Sequence, residues 1–581
     1  MKRILSFLKP YKWGVILVFI LVASRAVLDL LLPMILGLLV DQGIGLGSQV
    51  LEPNMTKVYQ FSLMMFIITV VSIGVTIFSG YMESKISASF AVDLRKAVYH
   101  KIEQFSMREV NHFSTSSLIT RTTNDIQQLQ NYVNMMLRML ILQPFLAIGA
   151  VTFSILQHPT LSMILIASVT ALVIMLVIIF SITLPKFQLV QKLVDRLNLV
   201  TRENLTGLRV VRAYNTQEFQ AKRIDDASKA SMVLNVFVNR VMGLMWPIMS
   251  LIMGFTSLAI VYLGAKYFVG IDGFDPGSLM ALMQYAMRAV MSFMFLTMIF
   301  IMIPRATISA RRVKEVLEMD IKINDPINAV ILPEVMEGEI KFDDVCFQYP
   351  DADEPVLSHL NFTVKAGTTT AFIGSTGSGK STLINLVPRF YERSCGSITI
   401  DGIDIKNMRQ EDLHGLIGYV PQKGVLFSGT IAENIMFGKG EYTEEDMIEA
   451  AKIAQAHDFI MEMEHQYETN VAQGGTSVSG GQRQRLSIAR AIAKKPLIYI
   501  FDDSFSALDY QTDQKLRKMM DEKVKATKLI VAQRINTIRY ADQIIVLDQG
   551  TMVGKGTHDE LLKSCPVYQE IASSQLSKEE L

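Results

Sequence analysis

Gly374-Ser-Thr-Gly-Ser-Gly-Lys-Ser-Thr382 fits the pattern G-x-x-x-x-G-K-[ST], a phosphate-binding loop. Glycines let successive backbone N–H groups curl round phosphate oxygens, and a helix N-terminus behind them adds positive potential. In that frame Lys380 neutralises β- and γ-phosphates and Ser381 offers a hydroxyl to Mg2+. Ser375, Thr376, Gly377, Ser378, Gly379 and Thr382 complete the cradle. The flanks suit this reading, since Thr369–Ile373 predicts a strand and Ser381–Leu386 opens a helix. Further on, Leu497-Ile-Tyr-Ile-Phe-Asp502 is an apolar run ending in an acid. It predicts a buried parallel strand that delivers Asp502 at its carboxyl end, where ligands of α/β sheets gather. Asp502 would then hold Mg2+, directly or through water. An incidental acid is the plainer reading, and the phosphate loop upstream weighs against it.

The elements carrying this chemistry fill the second half of the chain, and the first half is different. Of 581 residues 50% are hydrophobic and 19% charged, too apolar for an ordinary soluble protein. Six long apolar runs lie near Trp13–Leu39, Gln60–Met82, Val133–Leu156, Leu161–Leu184, Phe237–Leu263 and Leu279–Ile303. A bilayer core needs about 20 apolar residues per helix, so each can span. Lys2, Arg3, Lys9 and Lys12 precede the first run and place the N-terminus in the cytoplasm. Glu52 marks the following loop as outward, and Asp272 with Asp275 against Lys266 does the same after the fifth run. The connections after the second and fourth runs are long, polar and helical in pattern. They suit levers that reach another domain. The first apolar run is too long for a cleaved signal peptide and has no small-residue cleavage site.

Some polar residues fall within the spans. Arg25 and Asp29 are four apart and share a helical face, either as a functional pair or as an ion pair that fixes packing. Arg138, Gln143, Asn239, Arg240, Gln284 and Arg288 lie in or near other spans, and Arg240 reads as a snorkelling end residue. Spans five and six are rich in Met and Phe, which reads mainly as membrane filler, with a minority lining a pathway. The three cysteines, Cys346, Cys395 and Cys565, read as free thiols without metal-ligand spacing. The net charge of +1 gives no reason to expect a nucleic-acid partner. The expected divisions are a transmembrane domain over 1–320, a linker over 321–336 with Pro326 and Pro333, and a nucleotide-binding domain over 337–581.

Ser479-Gly-Gly-Gln482, followed by Arg483-Gln-Arg-Leu-Ser-Ile-Ala-Arg-Ala491, resembles the signature motif of ATP-binding cassette (ABC) proteins. The resemblance covers almost the whole chain. It implies that Tyr349 stacks on adenine and that Gln422 is the Q-loop glutamine, at the Mg2+ and the reaction centre. It also implies that Ser479, Gly480, Gly481, Gln482 and Asp509 serve nucleotide binding across a dimer. Phe113–Asp125 and Glu203–Asn215 resemble the family's cytoplasmic coupling segments, and Arg25, Pro33 and Asp41 fall where first spans of exporters often carry such residues. A membrane domain ahead of the cassette is the exporter arrangement. The implied fold is an all-α membrane domain of six transmembrane helices with long cytoplasmic extensions, fused to an α/β P-loop NTPase cassette. The cofactors are ATP and Mg2+.

Two positions depart from the family pattern. The catalytic Glu is replaced by Asp503 and the switch His by Gln533. Asp is one methylene shorter, which draws the carboxylate back by roughly 1 Å, and misplacement on that scale can cost about 10²-fold. Gln cannot become a cation and offers less to developing phosphoryl charge. The signature keeps Ser479 to Gln482, with Val478 in place of the common Leu. These features predict a chain that binds ATP well and hydrolyses it poorly at its own site, and that pairs with a second half-transporter in a heterodimer. A homodimer tolerating both changes is the alternative. The predicted function is ATP-driven export of an amphipathic drug-like or lipid-like substrate across the cytoplasmic membrane. Export of lipid or peptide by a homodimer and an ATP-gated channel or sensor are the rivals. The first span begins too early for the N-terminal protease-like domain that some peptide exporters carry.

Overall fold

The computed structural model describes residues 1–45, 53–270, 276–350, 352–438 and 443–576. Glu52, Asp272 and Asp275, which carry the outward assignment of two loops, lie outside the described residues. The chain forms two compact units, Met1–Glu103 with Ser116–Glu318, and Gln104–Thr115 with Met319–Leu581.

In the first unit, six helices among the described residues are long and apolar enough to cross a membrane: Arg3–Ile44, Met55–Glu103, Thr115–Gln157, Pro159–Thr206, Gln217–Lys266 and Pro276–Glu318. Lipid offers backbone groups no hydrogen-bond partner, so an apolar run there must be helical. All six predicted runs fall inside these helices. At 42 to 50 residues each is about twice what the hydrocarbon core requires. The polar extensions are therefore continuous with the spans.

Leu30, Leu161, Leu165, Ile260, Leu282 and Tyr285 pack in one buried cluster, and the Tyr285 hydroxyl donates to the Leu30 carbonyl at 3.0 Å. The first and sixth spans approach closely where both carry glycine. A Cβ on Gly277 would lie 2.1 Å from the Gly37 carbonyl oxygen, and the Gly277 N–H donates to Asp41 Oδ1 at 2.6 Å. Arg25 Nε lies 3.7 Å from Asp29 Oδ2, and Ser72 donates to Asp29 Oδ1 at 2.9 Å. Gln143 is buried, whereas Asn239 and Arg240 are exposed. Met245 and Met249 are buried against Leu172 and Val290, as filler would be.

The second unit is the α/β part. One sheet is antiparallel, in the order β2-β1-β4-β5: β1 (Ile340–Phe347), β2 (Leu357–Val364), β4 (Cys395–Ile400) and β5 (Ile403–Asp404). The other has the order β12-β11-β3-β10-β9-β6: β3 (Thr369–Gly374), β6 (Ile417–Val420), β9 (Ile498–Asp502), β10 (Thr527–Val531), β11 (Gln543–Asp548) and β12 (Thr551–Gly556). Its strands are parallel except β12. A short pair joins β7 (Gly429–Thr430) to β8 (Asn470–Val471). Every residue of β9 and β10 is buried, as expected for a parallel sheet covered on both faces.

One expectation needs correction. Cys346 and Cys395 are not free thiols but a disulfide. Antiparallel pairing makes them register partners on β1 and β4, a proximity that a sequence separation of 49 hides. Cys565 is free and buried. Gln104–Thr115 groups with the cassette unit and overlaps the start of Phe113–Asp125. Ser106 and Glu109 form a capping box that starts a short helix, Met107–Phe113, at that point. Asp125 instead belongs to the membrane unit, where it accepts from Ser309 at 2.6 Å.

Candidate functional site

The parallel sheet positions the site. Strands β3, β10, β9 and β6 are adjacent in that order, and each continues beyond its carboxyl end into a candidate residue. The phosphate loop follows β3, Gln533 follows β10, Asp502 ends β9 with Asp503 next, and Gln422 follows β6. Beyond these ends lies a cavity of about 270 Å³, lined by Val356, Thr376, Gly377, Gly379, Lys380, Ser381, Thr382, Gln422, Asp503, Val531 and Gln533.

The loop's glycines are conformational needs. Gly374 has φ 156°, and a Cβ there would fall 2.0 Å from the Leu547 carbonyl oxygen. Gly379 precedes the helix Lys380–Leu386 in a left-handed conformation. Lys380 Nζ donates to the carbonyls of Gly374 (2.9 Å) and Ser375 (2.7 Å) and to Ser378 Oγ (3.3 Å). Ser378 is buried. Burial lowers the Lys380 pKa, while the charges of Asp503 and Asp502 oppose that drop.

Ser381 Oγ donates to Asp502 Oδ1 at 2.7 Å. A hydroxyl and a carboxylate this close form the hard-oxygen pair that Mg2+ takes, so the residues fit the ion. Burial, and then the charge of Asp503, push the Asp502 carboxyl above the ordinary range, against the Ser381 hydrogen bond. A bound cation would reverse that balance.

Asp503 has φ 46°, an uncommon backbone state for a side-chain-bearing residue. Its Oδ2 accepts from Gln533 Nε2 at 2.8 Å and from Gln422 Nε2 at 3.2 Å. Burial raises its pKa, and the Gln422 bond opposes this. Asp503 and Gln533 thus touch each other, and Gln422 joins them.

Tyr349 is half-buried, with its hydroxyl 3.0 Å from Thr382 Oγ1 and its ring edge-on to Phe347 and Tyr391. Ser479 caps the helix Gly480–Ala493 through a capping box with Gln482. Ser479 and Gly480 are exposed and Gly481 is half-buried, and none of the signature residues lines the cavity. Asp509 caps the next helix by accepting from Thr512 N at 3.0 Å, which holds its pKa below the ordinary range. The structure therefore gathers the phosphate loop, Gln422, Asp502, Asp503 and Gln533 and leaves the signature and Asp509 facing elsewhere. The sequence reading missed Tyr391, which accepts from Asn111 Nδ2 at 3.0 Å on the short helix Met107–Phe113. The signal was the Ser106-x-x-Glu109 cap, which marks a helix start ahead of the segment singled out.

Comparison with known proteins bears on the whole chain. The ABC transporter transmembrane region matches residues 15–310, and the ABC transporter domain matches 357–506. An uncharacterised ABC transporter ATP-binding protein of Mycobacterium tuberculosis is 37% identical over 574 residues, covering 98% of this chain and 97% of that one. YfiB of Bacillus subtilis, likewise an uncharacterised ABC transporter ATP-binding protein, is 35% identical and covers 100% and 99%. A solved bacterial Atm1-family ABC exporter with ATP bound has a TM-score of 0.78 at 25% identity, covering 98% of this chain and 99% of that one. A membrane region and an ATP-binding cassette joined in one chain, matched end to end by such relatives, make this protein a multi-pass ABC exporter of the cell membrane with a cytoplasmic ATPase cassette, a member of the ABC transporter family.

Proposed function

We propose that this chain is the degenerate-site half of a heterodimeric ABC exporter that moves a small amphipathic substrate, drug-like or lipid-like, out of the cell. The observation that carries the reading is the Asp503 carboxylate, one of whose oxygens accepts from both Gln533 and Gln422. An oxygen committed to two amides is a poor partner for an attacking water. By contrast the binding groups are complete. Lys380 and the loop N–H groups would take the phosphates, Ser381 and Asp502 would hold Mg2+, and Tyr349 would supply a ring for adenine. Mg2+ when bound neutralises developing phosphate charge. Ser479, Gly480, Gly481 and Gln482, with Asp509, serve the partner's nucleotide across the dimer. A capped, exposed signature helix N-terminus suits a phosphate on another subunit.

The division into 1–320, 321–336 and 337–581 belongs to the same proposal. A Staphylococcus aureus relative named for multidrug export is 30% identical over 581 residues and supports a drug-like substrate. The test is the ATPase rate of this chain alone in a lipid disc. ATP binding with negligible turnover is the expected result. Brisk turnover that Lys380→Ala abolishes would make the homodimer the better account.

A further inference from the structure

Cys346, His359 and Cys395 come from three neighbouring strands, β1, β2 and β4, and their ligand atoms all lie within 4.8 Å of one another. An irregularity in β1 builds the meeting. The strand shifts register against β2 between Phe342 and Val345, and against β4 between Asp343 and Cys346. Bulges of this kind re-aim side chains and recur beside functional sites. Asp344 in the bulge has φ 52°, and His359 on the next strand has φ 50°. Two side-chain-bearing residues in left-handed backbone at one spot are a cost that binding sites tolerate. His359 Nδ1 stands 2.8 Å from Asp344 Oδ1 and 3.9 Å from Cys346 Sγ. Cys395 Sγ lies 3.2 Å from the Asp344 carbonyl oxygen.

We propose that this cluster, with its cysteines reduced, is a Zn2+ site with Cys346, Cys395 and His359 as ligands. Two thiolates and an imidazole are three donors of a four-coordinate zinc, and water takes the fourth position. Zn–S near 2.3 Å and Zn–N near 2.1 Å at tetrahedral angles put sulfur and nitrogen roughly 3.6 Å apart, close to the 3.9 Å found here for Cys346 and His359. Thiolates select against Mg2+ and Ca2+, so this site is chemically distinct from the Ser381–Asp502 pair. Disulfide and metal exclude one another. A phosphine reductant and one water open the S–S bond, giving a phosphine oxide and two thiols, and the cation then displaces both thiol protons. Either tie joins the end of β1, three residues before Tyr349, to the start of β4, four residues after Tyr391.

The experiment is a Co2+ titration of the nucleotide-free full chain in a lipid disc, with and without phosphine reduction. The reduced chain is expected to take one Co2+ with thiolate-to-cobalt charge transfer and tetrahedral visible bands, both erased by Zn2+. The unreduced chain should show neither. Cys395→Ser should at least halve the charge transfer per bound Co2+ and weaken binding, His359→Ala should weaken binding at least tenfold, and Cys565→Ser should leave both intact. ATP binding by each variant checks folding. Two new thiols on reduction without a charge-transfer band would overturn the proposal, as would a band that His359→Ala leaves at full affinity. If Cys395→Ser fails to fold, the exposed His359 variant decides alone.

Discussion

Asp503, Gln533 and Gln422 form one hydrogen-bonded group, so the two departures from the family pattern act together. A longer carboxylate at 503 would reach further into the cavity, and an imidazole at 533 could bear charge toward a developing phosphoryl oxygen. Asp503→Glu with Gln533→His is therefore expected to raise hydrolysis at this chain's own site by about 10²-fold or more, with either single change giving less. The assay is turnover of the purified complex whose partner's site is disabled. An unchanged rate would shift suspicion to the partner's signature. Asp502 has a different consequence. Its pKa is raised, chiefly by burial, so its charged form penalises the fold above the ordinary Asp range, near 3.9, and the penalty fades as pH falls through the native pKa. Asp502→Asn should thus raise the apparent Tm of the nucleotide-free chain at pH 7.5, with the gap narrowing on acidification. Mg2+ should stabilise only the parent. An Asn variant less stable at pH 7.5 would refute the sign. These residues were legible in the sequence because their motifs are local. Their mutual contact was not, since 81 residues separate Gln422 from Asp503 and only strand order brings them together.

At the scale of elements, a parallel sheet turns sequence motifs into a site by lining up strand ends. The apolar runs of β3 and β9 were readable for the same reason that they are buried. Strand pairing was less readable. The Cys346–Cys395 contact depends on the register of β1 with β4, and one bulge decides which face each side chain takes. Helix starts followed caps that the sequence did contain, as Ser106 and Glu109 show for the short helix Met107–Phe113. In the membrane unit the decisive feature is the close approach of the first and sixth spans. Small residues let backbones meet where lipid supplies no hydrophobic drive between helices. Gly277→Val would drive its Cβ into the Gly37 carbonyl oxygen, 2.1 Å away, and would strain the Asp41 bond. The expected outcome is a loss of several kcal/mol, read as a lower apparent Tm and poor recovery from mild detergent. Gly74, with open space around its Cβ position, should accept alanine without such loss. Equal tolerance at both positions would show that the spans need no close contact there.

For the whole molecule, ABC exporters work as dimers, and the placement of the signature gives the asymmetry a test. Ser479 and Gly480 are exposed and apart from the cavity that gathers Lys380, Ser381, Gln422, Asp503 and Gln533. In the heterodimer proposed above, this chain's signature completes the partner's working site, while its own phosphate loop sits in the weak one. Equivalent lesions should then have unequal costs. Gly480→Asp brings a carboxylate to a helix N-terminus aimed at the partner's γ-phosphate. It fills the positive end of the dipole and repels the nucleotide. Turnover of the complex should drop about 10²-fold or more, as it does when a pre-organised donor is lost from a reaction centre. Lys380→Ala in the same complex removes nucleotide from the weak site alone. Turnover should fall by less than tenfold, because the partner's site keeps its own lysine and this chain's signature. The measurement is steady-state ATPase beside transport into inside-out vesicles against a substrate gradient, which a channel could only dissipate. Equal losses from the two variants would mean equivalent sites and would favour a homodimer. A larger loss from Lys380→Ala would place the working site on this chain, and the Asp503–Gln533 pair would have to support hydrolysis after all.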